Sequence, residues 1–348
     1  MSLVFTFNPT SNIARSTRNK PEERQKLIVK KLSENKKYKY LKLRNIRYLK
    51  LFKILKKIHD PNYINFLMEA YDSYRDNNYH RDFSVSETEK GLIPETFLSD
   101  HSIKDQLVKV LPVFKQTSLF CTDRFTPIYE HTLPDVVNSA FAALEMTEHL
   151  LSNNTKIGYA ITSNPGHHAG RSFYGGFCFL NNVMTAAQEL LEHQKKVCIL
   201  DLDVHAGDGT EDIVKNLNNE NLKAISIHMD PIHEYPHVRG LKNDFNLLIQ
   251  PGCSIEDYQK VLNKATEIVN DFKPDYLLLA LGCDTYYKDP EVVGKCGLRK
   301  KDFKLIGNLI KSCIEKNNCK LLITQEGGYD LDSVPEIVNN FIEGLTTN

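Results

Sequence analysis

Four short apolar runs, each ending in a knot of polar residues, constrain this chain more than any other feature. YAIT at 159–162 leads into Pro165-Gly166-His167-His168. VCIL at 197–200 leads into Asp201, Asp203 and His205, LLLALGC at 277–283 into Asp284, and LLIT at 321–324 into Glu326-Gly327-Gly328-Tyr329. Runs this short, apolar at consecutive positions, suit strands buried on both faces of a parallel sheet. The spacing predicts strands over 156–162, 196–203, 223–228, 276–281 and 320–324. Helices are predicted over 134–151, 180–193, 255–271, 301–315 and 333–345. Strands alternating with helices imply an α/β fold with a parallel sheet covered on both sides. In open sheets of this kind ligands bind beyond the carboxyl ends of the strands. All four polar knots lie there.

Composition narrows the class. A chain of 348 residues holds one large α/β domain or two smaller ones. Lys+Arg and Asp+Glu both total 44, so the molecule is not a polyelectrolyte built to wrap nucleic acid. The eight cysteines form no CxxC pair, and several sit inside apolar runs, as Cys198 and Cys283 do. Buried reduced thiols fit a reducing compartment. The apolar part of MSLVFTFNPTSN is too short for a signal peptide, and no apolar run is long enough to span a bilayer. The expected location is cytoplasmic or nucleocytoplasmic rather than secreted. Residues 30–57 carry about a dozen Lys and Arg interleaved with Leu and Ile. They read as an amphipathic segment with a solvated basic face, the alternative being a docking patch for an acidic partner. A helix is expected over 61–74 and a polar loop over 75–102.

The knots carry chemistry. In an extended chain Asp201, Asp203 and His205 point the same way. Two carboxylates held that close raise each other's pKa unless a cation sits between them. Asp203 and His205, joined by the remote Asp284, would make a mixed nitrogen and oxygen site with a position left open for water, as a catalytic zinc site requires. A calcium loop of the EF-hand type needs Gly at its sixth position, where Ala206 stands. A structural salt-bridge cluster is the other alternative. His167 and His168 can move a proton near neutral pH, one as base and the other as acid, with Asp201 and Asp208 available to orient their rings. The Gly pair before Tyr329 lets the backbone bend, and the phenol can donate to a developing oxyanion. Gly175-Gly176-Phe177-Cys178-Phe179 reads as ordinary helix packing or as a narrow apolar slot for a linear alkyl chain.

PGHHAG, GGFCFLNN, DLDVHAGDGT, LGCDT and EGGY, in that order, resemble the histone deacetylase and acetylpolyamine amidohydrolase superfamily, from HDPNYINFL at 59–67 to the end of the chain. The resemblance implies an arginase-deacetylase-like three-layer α/β/α fold with a twisted, mainly parallel central sheet. It implies one domain over 1–348, with a basic N-terminal segment and loops over 1–75, an insertion near the active-site mouth over 76–125 and the catalytic core over 126–348. It implies a single Zn2+ held by Asp203, His205 and Asp284, and a zinc-dependent deacetylase that releases acetate and a free amine. His167 and His168 would be the acid/base pair, Asp201 and Asp208 their orienting partners, and Tyr329 the group that polarises the acetyl carbonyl. Gly176, Phe177 and Tyr235 would bind substrate. A structural K+ would sit at Asp201, Ser226 and carbonyls near Asp203 and His205.

HMDPIHEYPH at 228–237 and TPIYEHTLPDVVNSAFAAL at 126–144 resemble the acetylpolyamine branch, which implies small acetylated amines as substrates and a homodimer. Acetyl-lysine in proteins is the alternative substrate. Acidic residues at the mouth would favour a cationic substrate, with Glu95, Asp100, Glu130 and Glu234 as candidates. The chain departs from the family at Ala206, where a second His is usual, and at Ser163-Asn164 before PGHH, and the stretch from Gly240 to Gly252 is short. A dinuclear manganese ureohydrolase would need further acids where Gly207 and Tyr286 stand. A non-catalytic module that binds acetylated ligands is the remaining alternative.

Overall fold

The computed structural model of the protein describes residues 2–9, 20–77, 91–237 and 245–347. The first part of the chain supplies β1 (Leu3–Thr6), α1 (Pro21–Ser33), β2 (Lys39–Tyr40), α2 (Tyr48–Ile58), α3 (Pro61–Asp76), α4 (Lys104–Val110) and α5 (Thr117–Phe120). Next come α6 (Thr132–Ser152), β3 (Ile157–Ala160), α7 (Asn182–Glu192), β4 (Val197–Asp201), α8 (Asp208–Leu217), β5 (Leu222–Met229) and β6 (Asn246–Ile249). The chain closes with α9 (Ile255–Phe272), β7 (Tyr276–Leu281), α10 (Asp302–Asn317), β8 (Lys320–Gln325) and α11 (Val334–Thr346).

All these strands join one sheet in the order β2-β1-β3-β8-β7-β4-β5-β6, and every pairing is parallel. Alternation of side chains along each strand splits the core in two. Val197 and Ile199 of β4 pack on one side with Leu278 and Ala280 of β7, under α2, α3, α6 and α7. Cys198 and Leu200 face the other side with Leu277 and Leu279, under α1, α9, α10 and α11. The three-layer α/β/α architecture is the expected one. The eight cysteines are free and buried, as their apolar settings suggested.

The strands that carry the four polar knots, β3, β8, β7 and β4, are adjacent in the sheet although they are scattered through the sequence. Their carboxyl ends therefore open onto one crevice.

Several elements escaped the sequence reading, β1, α1, β6 and the ten-residue α8 among them. β1 is only four residues and fully buried between β2 and β3, so it shows no alternation. α1 buries Arg24 and Gln25 beside Ile28 and Leu32, and polar residues on its inner face blur the helical pattern. β6 is a short strand next to β5. Residues 78–90 of the expected polar loop, and part of the short stretch from Gly240 to Gly252, lie outside the described residues.

The basic segment takes its expected amphipathic form in α2, which buries Leu51, Ile54, Leu55 and Ile58, and adds ion pairs to it. Arg44 and Arg47 bind Glu145 and Glu148 of α6, and Lys50 binds Glu148 and Glu189 of α7. Lys57 reaches Glu192. The cations of α2 and of the loop before it thus bind the neighbouring helices as well as facing water.

Candidate metal centre and catalytic site

β4 ends at Asp201, and the chain then turns so that Asp203 and His205 enter the crevice. His205 Nδ1 lies 3.0 Å from Asp203 Oδ1 and 3.4 Å from Asp284 Oδ2. Ligand atoms of Asp203, His205 and Asp284 all lie within 4.8 Å of one another, and all three residues are buried. Asp284 Oδ1 accepts the Val204 amide, but Asp284 Oδ2 is buried without a hydrogen bond. An unsatisfied buried carboxylate oxygen is costly. Backbone comes close here too: a Cβ on Gly327 would stand 2.0 Å from Asp284 Oδ2, so only glycine fits.

Burial, with the like charge of Asp203 adding and His205 opposing, pushes the Asp284 carboxyl up to about 7. Asp203 is held well below the usual carboxylate range, because His167 and His205 outweigh the effect of its burial. The two carboxylates thus ionise unequally, as close acids without a cation do. Two carboxylates and an imidazole converging with an orphaned oxygen suit a divalent ion such as zinc, iron or cobalt.

The histidines flank this set. His167 Nδ1 lies 3.0 Å from Asp201 Oδ2, and His168 Nδ1 lies 2.7 Å from Asp208 Oδ1. The carboxylates hold both protons on Nδ1 and leave both Nε2 atoms for chemistry. The rings are 4.0 Å apart. Burial alone would lower the pKa of His167, but Asp203 and Asp201 outweigh it and raise it to about 10. Burial and the neighbouring His167 take His168 down to about 4, against the pull of Asp208. Ala206 is buried and leaves the His168–Asp208 contact intact.

Tyr329 is fixed through its backbone, whose amide donates to Asp289 Oδ2 at 2.7 Å. Burial raises its phenol well above the ordinary value, with Arg24 opposing and Asp203 and Asp284 adding. Phe177 meets the Tyr329 ring edge-on at 5.9 Å and has φ +67°, strained backbone for an aromatic residue. Gly176, at φ +53°, passes so close to His168 that a Cβ would meet its ring at 2.2 Å. Tyr235 stands edge-on to His168 at 4.8 Å, and its hydroxyl donates to Asp123 Oδ2. Asp201 and Ser226, expected to share a potassium ion, are register partners across β4 and β5. All the site residues expected from the sequence are thus brought together. Of the four acids expected at the mouth, Glu95, Asp100 and Glu130 are exposed, while Glu234 is buried against His205.

Supporting groups were missed. Arg24 is buried and donates to the Gly328 and Ser163 carbonyls, tying together the loops of Tyr329 and His167. Glu326 Oε2 accepts the Gly166 and His167 amides. Asp123 accepts the Gly176 amide at 2.6 Å. Glu326 stood in a quoted motif, but Arg24 and Asp123 carry no local signal, because their partners are backbone groups far away in sequence.

The sequence matches the histone deacetylase domain over residues 18–345, and the chain belongs to that family. Among its relatives, acetylpolyamine amidohydrolase 1 of Pseudomonas aeruginosa is 28% identical over 301 residues, covering 83% of this chain and 82% of the relative. The acetylpolyamine amidohydrolase of Mycoplana ramosa is 27% identical over the same coverage. Histone deacetylase 8 of Arabidopsis thaliana is 28% identical over 223 residues, 60% of this chain and 58% of the relative. The crystal structure of an acetylpolyamine aminohydrolase from Burkholderia pseudomallei superposes with a TM-score of 0.83 at 24% identity, covering 99% of each chain, which bears on the fold. Among the described residues no helix is long and apolar enough to cross a membrane.

Proposed function

We propose that this protein is a metal-dependent deacetylase that hydrolyses the N-acetyl amide of small acetylated amines, acetylpolyamines above all, to acetate and a free amine. One observation carries the reading: a three-donor set with an orphaned carboxylate oxygen lies beside two Asp-oriented histidines on one sheet edge. The names of the relatives support the substrate class.

Asp203, His205 and Asp284 would hold the ion, which supplies Lewis-acid polarisation of the acetyl carbonyl and acidifies water. With the Asp203 charge that raises its pKa committed to a cation, His167, its Nδ1 held by Asp201, would take the proton of the attacking water at Nε2. His168, set by Asp208, supports that transfer, and a histidine of the pair returns a proton to the departing amine. The Tyr329 phenol, kept protonated by its setting, donates to the oxyanion as charge develops there. Phe177, edge-on to Tyr329, and Tyr235, edge-on to His168, would flank the alkyl chain of the amine and exclude water.

The test is a parallel assay of acetylputrescine, acetylspermidine and an acetyl-lysine peptide, on metal-replete and chelated protein. Acetate release from the polyamines that is lost on chelation is expected. No release from any substrate by the replete protein would sink the enzymatic reading. Preference for the peptide would move the substrate to protein lysine.

A further inference from the structure

We propose that Glu234 is a positioning residue for His205: its carboxylate stands as the ion-pair partner of the outer nitrogen of that imidazole and couples it to the loop that follows Asp284. The proposal rests on the metal-dependent reading above. His205 turns Nδ1 toward the carboxylates of Asp203 and Asp284, and its Nε2 lies 3.6 Å from Glu234 Oε1. An imidazole that gives Nδ1 to a cation must carry its proton on Nε2. Buried in the crevice, that N–H needs an acceptor, and Glu234 is the carboxylate facing it. A partner of this kind fixes the tautomer and ring orientation of a metal-binding histidine and raises its basicity.

Glu234 is itself held. It is 3% exposed, which rules it out as an open receptor for a cationic substrate. Its Oε2 accepts the Val293 amide at 2.8 Å and the Gly294 amide at 3.0 Å, and its Oε1 accepts the Tyr235 amide at 3.2 Å. The three amides fix the carboxylate with Oε1, which also accepts the Tyr235 amide, turned toward His205. The segment they belong to also matters. Val293 and Gly294 follow Asp289, whose Oδ2 holds the Tyr329 amide. Tyr235, next to Glu234, stacks edge-on against both His168 and His205. One buried carboxylate therefore joins His205, a wall of the slot and the loop that seats the phenol.

The test uses Co2+ as probe on metal-free full-length protein, comparing wild type, Glu234→Gln, Glu234→Asp and Glu234→Ala. Gln keeps an oxygen for the amides but removes the charge. Its expected effect is a cobalt affinity weaker by about 10–100-fold, with an altered visible spectrum of the bound ion, while amide exchange at Val293 and Gly294 stays as in wild type. Asp keeps the charge and should recover part of the affinity, and Ala should lose affinity and speed exchange at both amides. If Gln and Asp variants bind cobalt with the wild-type affinity and spectrum, the assignment of Glu234 is overturned while the metal site stands. If the wild-type protein takes up no cobalt, or Asp284→Asn takes it up unchanged, the metal-dependent reading itself falls, and this proposal with it.

Discussion

Two regions of this molecule concentrate charge, and they resolve it in opposite ways. Where α2 and its preceding loop meet α6 and α7, the carboxylates of Glu145, Glu148 and Glu189 are each met by long cations: Arg44, Arg47 and Lys50. Those carboxylates need no further partner. At the sheet edge, Asp201, Asp203, Asp284, Glu234 and Glu326 crowd round three imidazoles. There Asp284 Oδ2 finds no hydrogen bond, and the Asp284 and Glu326 carboxyls are both pushed up to about 7, chiefly by burial. Charge satisfied inside the chain marks structure. Charge left over in a closed crevice marks a place for something the chain does not supply.

That contrast breaks most visibly in catalysis. His167→Ala is expected to lower kcat by about 10²–10⁴ on acetylputrescine, and Tyr329→Phe by about 10²–10³, both with folding intact. Unchanged turnover in both would show that the surplus charge serves no reaction.

A buried titratable group outside both regions comes next. His59 donates Nδ1–H to the Gly170 carbonyl and accepts the Asn181 amide on Nε2, so it is held neutral. Burial takes its pKa from 6.5 to about 4. Its contribution is therefore full above pH 6.5 and is lost as pH falls toward 4, because the unfolded chain takes up the proton first. The loss between pH 8 and 5 is about 2 kcal/mol. Urea unfolding of the wild type against His59→Asn measures it, and the Asn variant should show the flatter pH slope.

Legibility followed the reach of each interaction. The strands that lead to Asp201, Asp284 and Glu326 announced themselves, because a fully buried strand is apolar along its run and the polar residues at or just past its end break it. The site residues were readable as motifs for the same reason. Arg24, Asp123 and Asp289 were not, since each acts on the backbone of a loop many residues away, and the sequence holds no trace of that geometry. β1 was hidden by its length. The basic segment was visible as composition, but its acids lie on α6 and α7, about a hundred residues further on, so an amphipathic solvated face was the natural reading.

The opposite signs of the two regions also predict opposite responses to losing an acid. In the metal-free protein Asp284→Asn removes a buried carboxyl that burial and Asp203 already disfavour as an anion. It should raise stability at pH 8 by roughly 0.5–2 kcal/mol while abolishing cobalt uptake. A loss of stability there would mean that Asp284 is structural.

Glu148→Ala should do the reverse on a smaller scale. Its carboxylate accepts from Arg44, Arg47 and Lys50 at once, and those cations are 35–61% exposed. Water can therefore take over much of what the mutation frees, and the loss should be about 1 kcal/mol or less, shrinking further in high salt. The kcat on acetylputrescine should not move, since nothing in this clamp touches the crevice. A fall in kcat at unchanged stability would show that the clamp sets the position of α7, and through Asn181 and His59 the loop that carries His167, so that the two regions are coupled rather than merely contrasted.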